Sequence, residues 1–153
     1  MAHQWYGDSV SVESWRDIWL DEGFASFAEW RRSETQEGSA QDMMAYYYGQ
    51  IGSGSSFWRQ PIGDPGKGSE LASPACTRGA MARQALRNRV GDPAFLQLMR
   101  QWALTHRGGN GSVRQSIGLA QRLTGQDLQA FLRGWLYTGS KPAAVSVERM
   151  PAA

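Results

Sequence analysis

The imidazole of His3 and the carboxylate of Glu22, with eighteen residues between them, are the side chains of this sequence best suited to hold a metal ion. Nitrogen and carboxylate-oxygen donors suit zinc, and a catalytic zinc takes three protein ligands and keeps a fourth position for water. Glu22, Ser26 and Glu29 follow one another at i, i+4 and i+7, so on a helix they share one face. Glu29 is then placed to orient a ligand by hydrogen bonding, and its bland alternative is an ordinary exposed carboxylate. Cys76 is the single cysteine and the one soft nucleophile. Next to an imidazole its thiolate could attack an acyl group or bind zinc; elsewhere it is an inert buried thiol. His106, the other histidine, stands before a glycine turn and reads as a helix C-terminal cap.

The elements that must position these groups read as helices. Asp8 to Glu13 alternates polar and apolar residues and is expected to be an extended connector. Ser14 is a candidate N-cap for a helix running to about Thr35, with Trp15, Ile18, Trp19, Phe24, Phe27, Ala28 and Trp30 on a broad apolar surface. Gly23 interrupts that helix at a cost of roughly 1 kcal/mol against alanine, which points to a close approach by another element. Ser39 with Asp42 resembles a capping box and opens a second helix ending near Gly52. Gly52 to Gly68 is expected to be a long loop anchored by Trp58. Four more helices follow: Pro74 to Val90; one capped by Asp92 with Pro93 in its first turn; one opened by Ser112 and closed by Gly125; and Gln126 to Tyr137. Arg107 to Gly111 reads as a turn. The expectation is an all-α domain of about six short antiparallel helices over residues 1–140, with 141–153 as a frayed or locally extended tail.

Composition removes several alternatives. Sixteen basic and fourteen acidic side chains leave a formal charge of +2, with Arg31-Arg32 the one adjacent basic pair. No nucleic-acid footprint and no polybasic membrane patch is evident. No apolar run is long enough to cross a bilayer, and the N-terminus has no apolar signal core, so a cytoplasmic location is expected. One cysteine excludes an internal disulfide and a cysteine-rich zinc module.

Three stretches resemble the M1 family of zinc aminopeptidases, the gluzincin group. Ala2-His3-Gln4-Trp5-Tyr6-Gly7-Asp8 is similar to the second half of that family's H-E-x-x-H-Q-W motif. Trp15 to Glu29 resembles its W-x-D-x-W-L-N-E-G-F-A-x-Y-x-E motif, with Asp21 in place of the commoner asparagine. Arg78-Gly79-Ala80-Met81, Leu86-Arg87 and Val90-Gly91-Asp92 resemble the helix that follows the site, and Trp135-Leu136-Tyr137 also fits. The likeness covers nearly the whole chain and is closest to bacterial, actinobacterial-type members.

The resemblance implies the helical C-terminal part of a thermolysin-like catalytic domain and a family activity of zinc-dependent aminopeptidase. His3 would be the second zinc histidine and Glu22 the zinc glutamate, an incomplete site. The first histidine, the general-base glutamate and the G-x-M-E-N segment for the substrate's amine are not among these residues and would precede Met1. The family tyrosine before R-G-A is replaced: Ser73-Pro74-Ala75-Cys76-Thr77-Arg78-Gly79 puts Cys76 there. Three readings follow. The chain is a truncated M1-like protein without ordinary aminopeptidase activity on its own. Alternatively, its pocket is repurposed, with Cys76, His3 and Glu22 doing acyl transfer, cyclisation or hydrolysis on a small or carrier-bound substrate. Or it is a binding module or half of a split enzyme, taking a peptide or small-molecule ligand, self-associating, or completed by another fragment. No nucleic-acid or membrane partner is expected.

Overall fold

Seven helices and one two-stranded ribbon form the chain in a computed structural model that describes residues 10–12, 19–33, 39–65, 73–144 and 147–148. In order they are β1 (Val10–Val12), α1 (Trp19–Ser33), α2 (Ala40–Gln50), α3 (Ser56–Arg59), α4 (Ser73–Val90), α5 (Asp92–Thr105), β2 (Gly109–Gly111), α6 (Val113–Thr124) and α7 (Gln129–Leu136). The all-α expectation holds, with two additions. The expected loop after α2 contains the four-residue helix α3, opened by Ser55, whose hydroxyl accepts the Phe57 N–H at 3.2 Å. The expected turn at Arg107 to Gly111 ends in a strand: β1 and β2 pair in parallel, Val10 with Gly109 and Val12 with Gly111. Gly-Asn-Gly has no strand propensity of its own, so only its partner reveals it.

Local chemistry sets most helix ends. Ser39 and Asp42 form the expected capping box: the Ser39 N–H donates to the Asp42 carboxylate at 2.9 Å, and the Asp42 N–H donates back to the Ser39 hydroxyl at 3.1 Å. Ser112 and Gln115 do the same for α6. At α5 the N-cap is Gly91, not Asp92. Gly91 has a φ of +83°, which suits a residue without a Cβ, and Asp92 instead forms a bidentate ion pair with Arg87 at 2.9 Å across the turn. α7 begins at Gln129, three residues later than the sequence suggests.

Helix α4 is the hub, touching α1, α2, α5 and α7. Its pairing with α1 is the most extensive among the described residues and is made backbone to backbone at Gly23 and Gly79. A Cβ added to Gly23 would stand 2.8 Å from both Cα and the carbonyl carbon of Gly79. The close approach expected at Gly23 is therefore present, and Gly79 is what it meets. Around the crossing, Phe27 meets Phe95 edge to face at 5.5 Å and Trp30 stacks on Tyr47 at 5.6 Å, tying α1 to α5 and α2. Trp58, fully buried in α3, is the loop anchor that was expected.

The segment after α7 is held down where it is described. Lys141 donates through Nζ to the carbonyls of Tyr48 (2.6 Å) and Ile51 (2.9 Å), capping the C-terminal end of α2. The Tyr48 hydroxyl donates to the Pro142 carbonyl at 2.6 Å. Val147 is buried, and its carbonyl accepts from Asn88 (2.9 Å) and Gln41 (3.1 Å).

Two outcomes follow. Gly23→Ala should lower the unfolding free energy by about 2 kcal/mol in urea titration, because the added methyl overpacks a backbone contact that cannot yield. Gly49→Ala, where a Cβ meets nothing, should leave it unchanged or raise it slightly. At the α2 cap, hydrogen bonds from the Ser39 backbone and hydroxyl hold the Asp42 carboxyl below its ordinary value of 3.8. A carboxyl whose folded pKa is depressed stabilises the fold above the unfolded value and loses that contribution as pH falls through the folded one. Asp42→Asn should thus be less stable than the parent chain at pH 7, with the two converging as melts are taken to strongly acid pH.

Candidate functional site

The α1–α4 crossing decides what can be gathered around Glu22. Glu22 immediately precedes Gly23 on α1, so its backbone lies at the crossing itself. Its side chain is outside the described residues, and so is all of His3. Ser26, one turn on, is half-buried, and Glu29, two turns on, is exposed. The helix thus carries Glu22, Ser26 and Glu29 in the expected register, with the face opening toward solvent at Glu29.

Cys76 lies in the first turns of α4, three residues before Gly79 and so nearly one helical turn, about 4.5 Å along the axis, from the crossing. It is half-buried. The fold therefore brings the helix turns of Glu22 and Cys76 to one place, while the geometry of His3 toward either is not described. His106 takes the structural role expected of it. It is the C-cap of α5, its ring stacks on Trp102 at 3.9 Å, and its Nδ1 lies 3.2 Å from the Trp102 carbonyl oxygen.

Arg78 holds the turn that carries Cys76, a role sequence reasoning did not assign. Its side chain is wholly buried. One terminal nitrogen donates to the carbonyls of Trp58 (2.9 Å) and Gln60 (3.0 Å); the other donates to Thr138 (2.7 Å) and Gly134 (3.4 Å). The guanidinium also lies over the Trp58 ring at 5.6 Å. Burial pushes its pKa down to about 10, so it remains a cation at neutral pH. The carbonyls at Gly134 and Thr138 belong to the C-terminal end of α7, where a positive charge is favoured. One arginine thus ties α4 to the α3 segment and to the end of α7. The available signal was an arginine followed directly by Gly-Ala-Met, small and apolar residues that belong in a core.

A zinc site needs three donors of the right type within reach. Among the described residues, no three of His, Cys, Asp and Glu come together in that way. The described donors do not form a metal centre by themselves.

A family model for the peptidase family M1 domain matches residues 1–135. The chain belongs to the M1 peptidase family. Aminopeptidase N of Streptomyces lividans is 27% identical over 149 residues, which cover 90% of this chain and 17% of that protein. Aminopeptidase N of Homo sapiens is 49% identical over a stretch of 37 residues, 24% of this chain and 4% of that protein. Among solved structures, an M1 zinc metallopeptidase from Deinococcus radiodurans superposes with a TM-score of 0.80 at 32% identity, over 99% of this chain and 33% of that one. The chain therefore shares the helical part of an M1 catalytic domain and spans less than a fifth of these curated relatives and about a third of the solved one.

Replacing Arg78 by methionine, which keeps the length but none of the donors, should cost about 3 kcal/mol by leaving buried carbonyls unsatisfied. Arg78→Lys, with one ammonium against carbonyls on two segments, should recover only part of that in thermal melts.

Proposed function

We propose that this chain is the helical part of an M1 metallopeptidase catalytic unit. In it Glu22 and His3 stand as two zinc donors, and the 153-residue polypeptide has no ordinary aminopeptidase activity by itself. The observation that carries the reading is the backbone contact of Gly23 with Gly79, which fixes the Glu22 turn against α4 in a family that includes a solved zinc metallopeptidase. The missing donor and general base would come from polypeptide outside these residues. Two donors hold zinc far less tightly than three or four. Calorimetric titration of the chain with zinc should give weak binding that His3→Ala and Glu22→Gln abolish, and an aminoacyl-arylamide assay should show no turnover. Robust turnover removed by a chelator would overturn the proposal.

A second reading rests on the half-buried position of Cys76 one turn from the crossing. There the pocket works without peptidase chemistry, Cys76 acting as nucleophile with His3 and Glu22 beside it. Alkylation of Cys76 should then be faster than for an ordinary thiol and should slow in His3→Ala. Ordinary reactivity that ignores the mutation would remove this reading. A binding or split-enzyme role is distinguished by co-expression with an upstream M1-like fragment, which would restore activity only in that case.

A further inference from the structure

The charge of this chain is segregated. Residues 73–153 hold eleven of the sixteen basic side chains and three of the fourteen acidic ones, a formal charge of +8 against −6 for residues 1–72. Part of that positive charge is spent inside, on Arg78 and on the Arg87–Asp92 pair. Arg100, Arg107, Arg114 and Arg122 are all exposed, and among the described residues none has an ion-pair partner.

Helix α5 arranges some of these into a ridge. Its inner face is Phe95, Leu98, Met99 and Trp102, all buried. On the outer face Leu96, Arg100 and Leu104 follow at i, i+4 and i+8, and Arg107 continues beyond the helix end. Leu96 is 40% exposed and Leu104 73%, two of the four large apolar side chains that stand exposed among the described residues. The adjoining α6 adds Arg114 and Arg122, the latter with its guanidinium lying along the helix toward Gly118, one turn from Arg114. Leucines interleaved with planar, bidentate donors are matched by glutamates and leucines at helical spacing. A strand of nucleic acid would call for aromatic stacking platforms, but the aromatic rings of α5 face inward. A bilayer surface would call for a wider apolar face than two leucines.

We propose that the outer ridge of α5, Leu96–Arg100–Leu104 with Arg107, is a docking surface for an acidic amphipathic helix of a partner protein. It is independent of the metal-site reading, because none of these residues belongs to the α1–α4 crossing.

The test uses the 153-residue chain and a labelled synthetic helical peptide carrying leucine at i, i+4 and i+7 flanked by glutamates, read by fluorescence anisotropy at low salt. The expected result is saturable binding that weakens as salt is raised, since exposed charges are screened within about 10 Å at 0.1 M. Leu104→Asp and Arg100→Glu, both at solvent-exposed positions, should each weaken binding about tenfold while circular dichroism stays unchanged. A peptide with lysine in place of glutamate should bind the parent chain poorly and Arg100→Glu better. Failure of the acidic peptide to bind, equal binding of the lysine peptide, or indifference to Leu104→Asp would overturn the proposal. Heparin binding by the parent and Leu104→Asp chains alike, without peptide binding, would mean a polyanion surface and would also overturn it. Salt-sensitive self-association in sedimentation, again without peptide binding, would do the same.

Discussion

Two glycines in contact set the geometry of this molecule. Where Gly23 lies on Gly79 no side chain separates α1 from α4, and the helices meet backbone to backbone. Helix packing is normally spaced by the side chains at the contact; here even a Cβ on Gly23 would stand 2.8 Å from the Gly79 backbone. The contact also fixes neighbours by their place in sequence. Glu22 precedes one glycine, Arg78 precedes the other, and Cys76 stands one turn before it. The helix turns of a carboxylate residue, a structural cation and a thiol are thus brought into one region by a feature that has no chemistry of its own.

The arrangement is secured by long-range polar contacts. Arg78 donates to carbonyls 18 to 60 residues away in sequence, joining the α3 segment and the end of α7 to α4. On the far side, Gln41, Gln84 and Asn88 form a side-chain network that closes on the Val147 carbonyl, and Lys141 caps α2. Buried polar groups are tolerated when they are hydrogen-bonded, and Arg78, Gln41, Asn88 and Lys141 satisfy carbonyls that a loop or helix end would otherwise leave open, with Gln84 bridging Gln41 and Asn88. Removing one therefore strands its partners, so the effect of a substitution spreads across segments that never touch in sequence.

Family membership and the shared fold account for the helical scaffold, and they leave the chemistry to the donor set. The donors proposed for zinc in this chain are His3 and Glu22, and Cys76 is its single thiol. A metal site is a property of three or more atoms placed to within a fraction of an ångström, whereas a fold tolerates a quarter to a third sequence identity. That difference in tolerance is why a scaffold survives substitutions that would dismantle a metal site.

Much of the scaffold was legible in the sequence because the signals are local. The capping box at Ser39 and the helix start at Ser112 are set within three residues, the apolar stripe of α5 repeats every helical turn, and His106 before a glycine turn is a cap by position alone. The motif around Glu22 was equally legible, together with the isolated glycine whose cost in a helix demanded a neighbour. What that neighbour was, only the tertiary structure decided: Gly79 is fifty-six positions from Gly23, and no pattern links them. The β1–β2 pairing, the reach of Arg78 and the capping of α2 by Lys141 belong with it. Each depends on which distant backbone comes near, which is a property of packing and not of any one segment.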